Sequence, residues 1–209
     1  MDKKRLFIAI NLPETVKNKL FDWELKLEKE YGLGEFRGKN INWVIKKNLH
    51  ITLIFIGYAT DDETYEIART IKTVAKNHQQ FFINLEKIIL GPASANPPAG
   101  EAGATAGKPP IARMFWVQGE KSQELANLQF DLEDALSMGN NYQKEVRAFS
   151  PHVTLARFES GVGKTIAEKG MVEKKINYQI PVESIELMQS TLGRSGPEYI
   201  TLELVELGK

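Results

Sequence analysis

The sequence predicts an α+β fold: duplicated strand–helix–strand units in two lobes, with antiparallel sheets around a central cleft and a pseudo-twofold relation between the lobes. Three observations carry this reading. The stretches NLHITLIFIG (48–57) and SPHVTLARF (150–158) repeat one pattern, a histidine and a threonine set into an apolar strand, with the histidines 102 residues apart. A strand-like run and then a helical run precede each of them. Between the two halves lies GPASANPPAGEAGATAGKPP (91–110), in which 15 of 20 residues are Gly, Ala or Pro. Such a segment has too little apolar surface to repay the entropy of ordering it, so it reads as a flexible connector.

The elements follow in order. RLFIAIN (5–11) is a strand, and Pro13 has the fixed φ that suits a helix start. Val16, Leu20, Trp23, Leu27 and Tyr31 then recur at three- and four-residue steps, an amphipathic helix ended by Gly32 and Gly34. A short apolar piece spans Ile41–Ile45, and the first His stretch is a strand. Asp61 and Asp62 open a second helix carried by Ile67, Ile71 and Val74. FFINLEKIIL (81–90) is a strand that closes a first repeat of about 1–90. The second repeat, about 111–209, replays the order: RMFWVQG (113–119) as a strand and Leu125, Leu128, Leu132 and Leu136 as a helix closed by Gly139. VTLARF is then a strand, 164–170 a short helix, 175–191 strand-rich, and EYITLELVEL (198–207) a last strand. The whole chain is expected to form one two-lobed domain with intertwined lobes.

Composition narrows the function classes. The 209 residues carry 27 basic and 27 acidic side chains, so bulk electrostatic binding of long nucleic acid is not expected, although a local basic patch at a nucleic-acid end remains possible. There is no cysteine, which excludes disulfides, thiol nucleophiles and Cys-based zinc sites. The N-terminal apolar run is too short for a signal-peptide core and no stretch is long enough to span a bilayer, so a cytoplasmic protein with no membrane partner is expected.

On a strand, residues two apart share a face. His50 and Thr52 therefore point one way, while Leu49, Ile51, Leu53 and Phe55 are expected to point the other. His152 and Thr154 repeat the arrangement, with Val153 and Leu155 facing away. Each copy thus sets one imidazole beside one hydroxyl on a rigid element. Paired imidazoles titrating near neutrality suit general acid–base catalysis, one taking a proton from water while the other protonates a leaving oxygen. The threonine hydroxyls suit the non-bridging oxygens of a phosphoryl group. A strained cyclic phosphodiester fits this constellation and needs no metal or other cofactor. A single His-x-Thr would more often be a structural pair; two copies using two of three histidines outweigh that reading.

HITL at 50–53 and HVTL at 152–155 resemble the paired signature of the two-histidine phosphoesterase superfamily, and within it the RNA 2′,3′-cyclic phosphodiesterases, also called 2′-5′ RNA ligase-like proteins. RLFIAINLPE, INWVIKKNLHITLIFIG, RMFWVQG, SPHVTLARF and IELMQSTLGRSGPEY extend the likeness over almost the whole chain. The resemblance implies hydrolysis of RNA 2′,3′-cyclic phosphate ends, tRNA-derived ends among them, to 2′-phosphomonoesters by a monomer. It implies His50 as proton donor, His152 as proton acceptor, and Thr52 and Thr154 as phosphate-binding residues; spacing alone leaves open which histidine is acid and which is base. Ligation or cleavage of 2′-5′ linkages at the same centre, and a non-catalytic RNA-end binding module, are the alternatives. The connector at 91–110 is longer and blander than the resemblance leads one to expect.

Of the remaining candidates, Arg157 should point away from His152 by strict alternation, and reaches the phosphate only if the strand bulges. His78 reads as a solvated helix-end residue, Lys46 and Lys47 as solvated cations, and Trp116 as core packing, with Arg113 and Arg194 also in family-like segments. GVGK at 161–164 lacks the spacing of a phosphate-binding loop, and no H-E-x-x-H pattern accompanies the histidines to suggest zinc.

Overall fold

A computed structural model describes residues 3–92, 112–139, 142–144, 149–170, 173–193 and 196–208. Most of the expected connector, from residue 93 to 110, lies outside the described residues, as does Arg194. The chain order is β1 (Lys4–Asn11), α1 (Glu14–Tyr31), β2 (Ile41–Trp43), β3 (His50–Ala59), α2 (Asp61–Ala75), β4 (Phe81–Pro92), β5 (Ala112–Gly119), α3 (Gln123–Gly139), β6 (His152–Phe158), α4 (Ser160–Glu168), β7 (Lys174–Val182), β8 (Ser184–Gly193) and β9 (Gly196–Glu206).

Local chemistry sets the helix ends. Pro13 precedes α1, and Gly32 closes it in the left-handed conformation at φ 64°, where its N–H and that of Leu33 reach back to Lys29 and Glu28 carbonyls. Thr60 caps α2 reciprocally: its hydroxyl accepts from the Glu63 N–H, and the Glu63 carboxylate accepts from the Thr60 N–H. The α4 helix begins at Ser160, four residues before the expected start, and its Gly163 packs against the Ala112 carbonyl of β5 with no room for a Cβ. That close approach gives Gly163 of GVGK a packing role.

The strands form one open antiparallel sheet in the order β7-β4-β5-β6-β3-β1-β8-β9, with β2 added alongside β6. The order reads as two four-stranded halves that mirror each other about the β6–β3 boundary. Neither half belongs to one stretch of sequence: β4 from the first half of the chain pairs with β5 and β7, while β8 from the second half pairs with β1. The halves meet through a single registered pair, Ile51 with Val153. The two sheets expected around the cleft are therefore continuous, joined where the two histidine strands touch.

The apolar stripes of α1 (Val16, Leu20, Leu27), α2 (Ile67, Ile71), α3 (Leu125, Leu128, Leu132, Leu136) and α4 (Val162, Ile166) join Ile8, Ile10, Ile51, Leu53, Val153 and Leu155 in one buried cluster. Each such side chain contributes on the order of 1.5–3 kcal/mol when taken out of water. A small second cluster, Phe7, Ala9 and Met188 with Tyr199 against it, is separate from this core. It lies beside His50.

Candidate active site

The two histidine strands repeat one another residue for residue in their exposure. From His50 to Phe55, and from His152 to Arg157, the sequence is half-buried, buried, half-buried, buried, buried, exposed. The break in alternation is a β-bulge at the same place in both copies. Thr52 pairs with Ala9 but Ile54, not Leu53, pairs with Ile8; Thr154 pairs with Trp116 but Ala156, not Leu155, pairs with Phe115. An extra residue in one strand moves everything after it to the opposite face. Phe55 therefore shares a face with His50 and Thr52, and Arg157 with His152 and Thr154. This corrects the strict alternation expected from the sequence, which sent both side chains away from the histidines.

The neighbouring strands complete the correspondence. Asn11, Ala9 and Phe7 of β1 stand beside His50, Thr52 and Phe55; Gln118, Trp116 and Met114 of β5 stand beside His152, Thr154 and Arg157. Extending the register by one residue from Ile51 and Val153 sets His50 opposite Thr154 and Thr52 opposite His152. All four side chains then lie on one face, with the imidazoles on a diagonal. The structure thus brings together all five sequence-predicted site residues.

Each ring is mounted in the same way. His50 Nδ1 donates to the Asn48 carbonyl at 2.6 Å, and His152 Nδ1 donates to the Ser150 carbonyl at 2.9 Å. A carbonyl can only accept, so Nδ1 carries the proton and Nε2 is left as the proton-exchanging atom in both neutral rings. At His50 the Thr52 hydroxyl donates to Nε2 at 3.0 Å. Among the described residues, His152 Nε2 has no such partner. The turn Lys46–Asn48 carries the first mount, and buried Asn48 anchors it by donating its side-chain amide to the Pro197 carbonyl at 2.8 Å.

The rings are packed differently. Phe7 lies 5.2 Å from His50 and Tyr199 meets it edge-on at 5.3 Å, whereas Trp116 stacks nearly parallel on His152 at 3.9 Å. Trp116 thus lies against the site histidine and outside the main core, where the sequence reading had placed it. Burial drives the His50 pKa down to about 4; the bond to the Asn48 carbonyl opposes this, while the charges of Arg157, His152 and Lys17 add to it. His152 is lowered too, first by burial and then by Arg157, against its Ser150 bond. Both imidazoles are therefore neutral near pH 7 in the free protein.

Other candidates fall elsewhere. His78 Nε2 meets Asp131 Oδ2 at 2.9 Å and ties the end of α2 to α3, so it is a structural link and not the freely solvated residue expected. Lys46 pairs with Glu14 at 3.0 Å, and Arg113 is exposed. Among the described residues no group of three or more His, Cys, Asp or Glu side chains is assembled that could hold a metal ion, and no helix is long and apolar enough to cross a membrane.

Comparison with known proteins bears on the family and the fold. The family model described as the 2'-5' RNA ligase superfamily matches residues 25–194. The chain is 32% identical over 172 residues to an RNA 2',3'-cyclic phosphodiesterase of Aeropyrum pernix, covering 79% of this chain and 85% of that one. It is 26% identical over 185 residues to one of Aquifex aeolicus, covering 88% of both chains. Among solved structures, the protein TT0787 of Thermus thermophilus superposes with a TM-score of 0.72 at 22% identity, over 98% of this chain and 99% of that one. LigT of E. coli, complexed with 3'-AMP, gives the same TM-score at 20% identity over the full length of both chains, and these two likenesses establish a shared fold. With a family model spanning most of its length and both histidine strands, the chain belongs to the 2'-5' RNA ligase superfamily.

Proposed function

We propose that this protein hydrolyses RNA 2′,3′-cyclic phosphate ends to 2′-phosphomonoesters, without a metal, by two-histidine general acid–base catalysis. One observation carries the reading: two imidazoles, mounted identically through Nδ1, present their Nε2 atoms on the one face that also holds two threonines and an arginine. The names of the relatives support the substrate class.

In the reaction, His152 Nε2 takes a proton from water as the water oxygen attacks phosphorus. The bond from phosphorus to the 3′ oxygen breaks, and His50 Nε2–H protonates that oxygen. Thr52, Thr154 and Arg157 meet the non-bridging oxygens, where charge accumulates in the transition state. The donor role asks His50 to gain a proton it lacks in the free protein. A bound phosphate anion favours the charged imidazole and offsets the burial that depresses it. The Thr52 hydroxyl, released from Nε2, is then free to turn toward the phosphate.

The test is an oligonucleotide ending in a 2′,3′-cyclic phosphate, incubated with chelator present and resolved by product. Wild type should yield a 2′-phosphate end. Absence of turnover, or undiminished turnover in both His50→Ala and His152→Ala, contradicts the proposal. Tight binding without product would favour an RNA-end binding module instead.

A further inference from the structure

Strand β4 passes under the second half-site at Gly91, which pairs with Met114. A Cβ at Gly91 would sit 2.6 Å from Cδ2 and 2.8 Å from both Cε2 and Cγ of Trp116. The indole therefore lies flat on bare backbone. Its other face carries the His152 ring, 3.9 Å away with the planes 22° apart. Its Nε1–H donates to the Met114 sulfur at 3.2 Å, which fixes rotation in the plane. Backbone, thioether and imidazole together hold the indole on three sides.

We propose that Trp116, laid flat by the missing side chain at Gly91, is a positioning residue that fixes the plane of the His152 ring and stabilises its protonated form during turnover. This rests on the functional reading above, in which His152 receives the proton from water. The bond to Ser150 holds one atom of the ring, and a flat partner is needed to fix its tilt. The charge facing His152 is Arg157 on its own strand, and it opposes a further positive charge. A cation over an indole face is stabilised by the ring quadrupole, and tryptophan is the best of the aromatic partners. The equivalent position beside Thr52 is Ala9, so the His50 side has no such platform.

The test combines NMR of the histidine rings with kinetics on Trp116→Leu, Trp116→Phe, Gly91→Ala and the double variant Gly91→Ala/Trp116→Phe. Leucine keeps apolar cover and removes the π face; alanine at 91 displaces the indole without altering either stacked ring. In wild type the His152 ring protons should be shifted upfield by the indole. Trp116→Leu should remove that shift, lower the His152 pKa by about half to one unit, and reduce kcat about tenfold or more with KM little changed. Trp116→Phe should stay near wild type. Gly91→Ala should lose the ring-current shift and kcat together, and a smaller ring at 116 should recover part of both, a coupling that independent sites do not show. Unchanged His152 resonances, pKa and kcat in both Trp116→Leu and Gly91→Ala would overturn the proposal, as would a loss confined to KM. If wild type fails to open the cyclic phosphate, the functional reading falls, while the ring shift and pKa still decide whether the stack acts on His152.

Discussion

Around His50 the ring is packed by aromatic side chains: Phe7 and Tyr199 lie against it, and Phe55 follows the bulge, 6.3 Å from Phe7. Around His152 the register positions of Phe7, Ala9 and Phe55 carry Met114, Trp116 and Arg157. The mounts are alike, each Nδ1 held by the carbonyl two residues back. Backbone geometry, shared between the halves, fixes where the imidazoles and hydroxyls sit. Side chains at the unshared positions decide what surrounds them. A duplicated frame can in this way hold two chemically identical groups in environments that differ, which is what separate proton-donating and proton-accepting roles require.

The largest effect expected from breaking this pair is on the histidines themselves. His50→Ala and His152→Ala should each lower kcat on a cyclic phosphate end by about 10² to 10⁴. The double variant should be little worse than either, because groups that act as a unit are not additive. Single-turnover kinetics would check this.

The next comparison sets Arg157 against Phe55, equivalent residues after the two bulges. Arg157→Ala should cost about 10² in kcat. It should also raise the pKa of both histidines, since the guanidinium holds both down. Phe55→Ala should leave both pKa values and most of kcat in place. Histidine NMR titrations of the two variants would separate charge from packing.

These two residues also mark where the sequence stops being legible. The strands, their histidines and the apolar frame are readable because alternation of period two survives from His50 to Leu53 and from His152 to Leu155. The bulges are not, because Leu53–Ile54 and Leu155–Ala156 look like ordinary core strand until a partner strand counts one residue against two. The stack of Trp116 on His152 is likewise a product of pairing, visible only once Gly91 is known to lie beneath the indole. Which strands pair, β4 with β5 and β7 and β8 with β1, is not legible either, because that is decided by tertiary packing and not by local pattern. A sharper sign was present in Thr60 and Glu63, a capping box three residues apart that fixes the start of α2 more closely than Asp61 and Asp62 do.

A smaller effect concerns stability. His50 has a folded pKa of about 4, below its unfolded value near 6.5, so the unfolded chain binds more protons between these values. Stability should be whole above pH 6.5 and decline as pH falls toward 4, by up to about 3 kcal/mol from this residue. Urea unfolding at stepped pH should show the decline in wild type and a shallower one in His50→Gln. Smallest of all, Asn48→Ala should destabilise by about 1–2 kcal/mol through the lost bond to Pro197. Ser150→Ala, at the equivalent mount, should cost less, because among the described residues the Ser150 side chain makes no bond like that of Asn48 to Pro197.

The most direct test is the pH dependence of kcat/KM for opening a 2′,3′-cyclic phosphate end with chelator present. Because kcat/KM reports the free enzyme and both imidazoles lie below their ordinary pKa, the profile should be a bell with its optimum under pH 6.5. The kcat profile should sit at higher pH, since the bound phosphate favours a charged ring. A kcat/KM profile that is flat or still rising through about pH 8, or activity abolished by the chelator, would contradict a pair of histidines exchanging protons in one cleft.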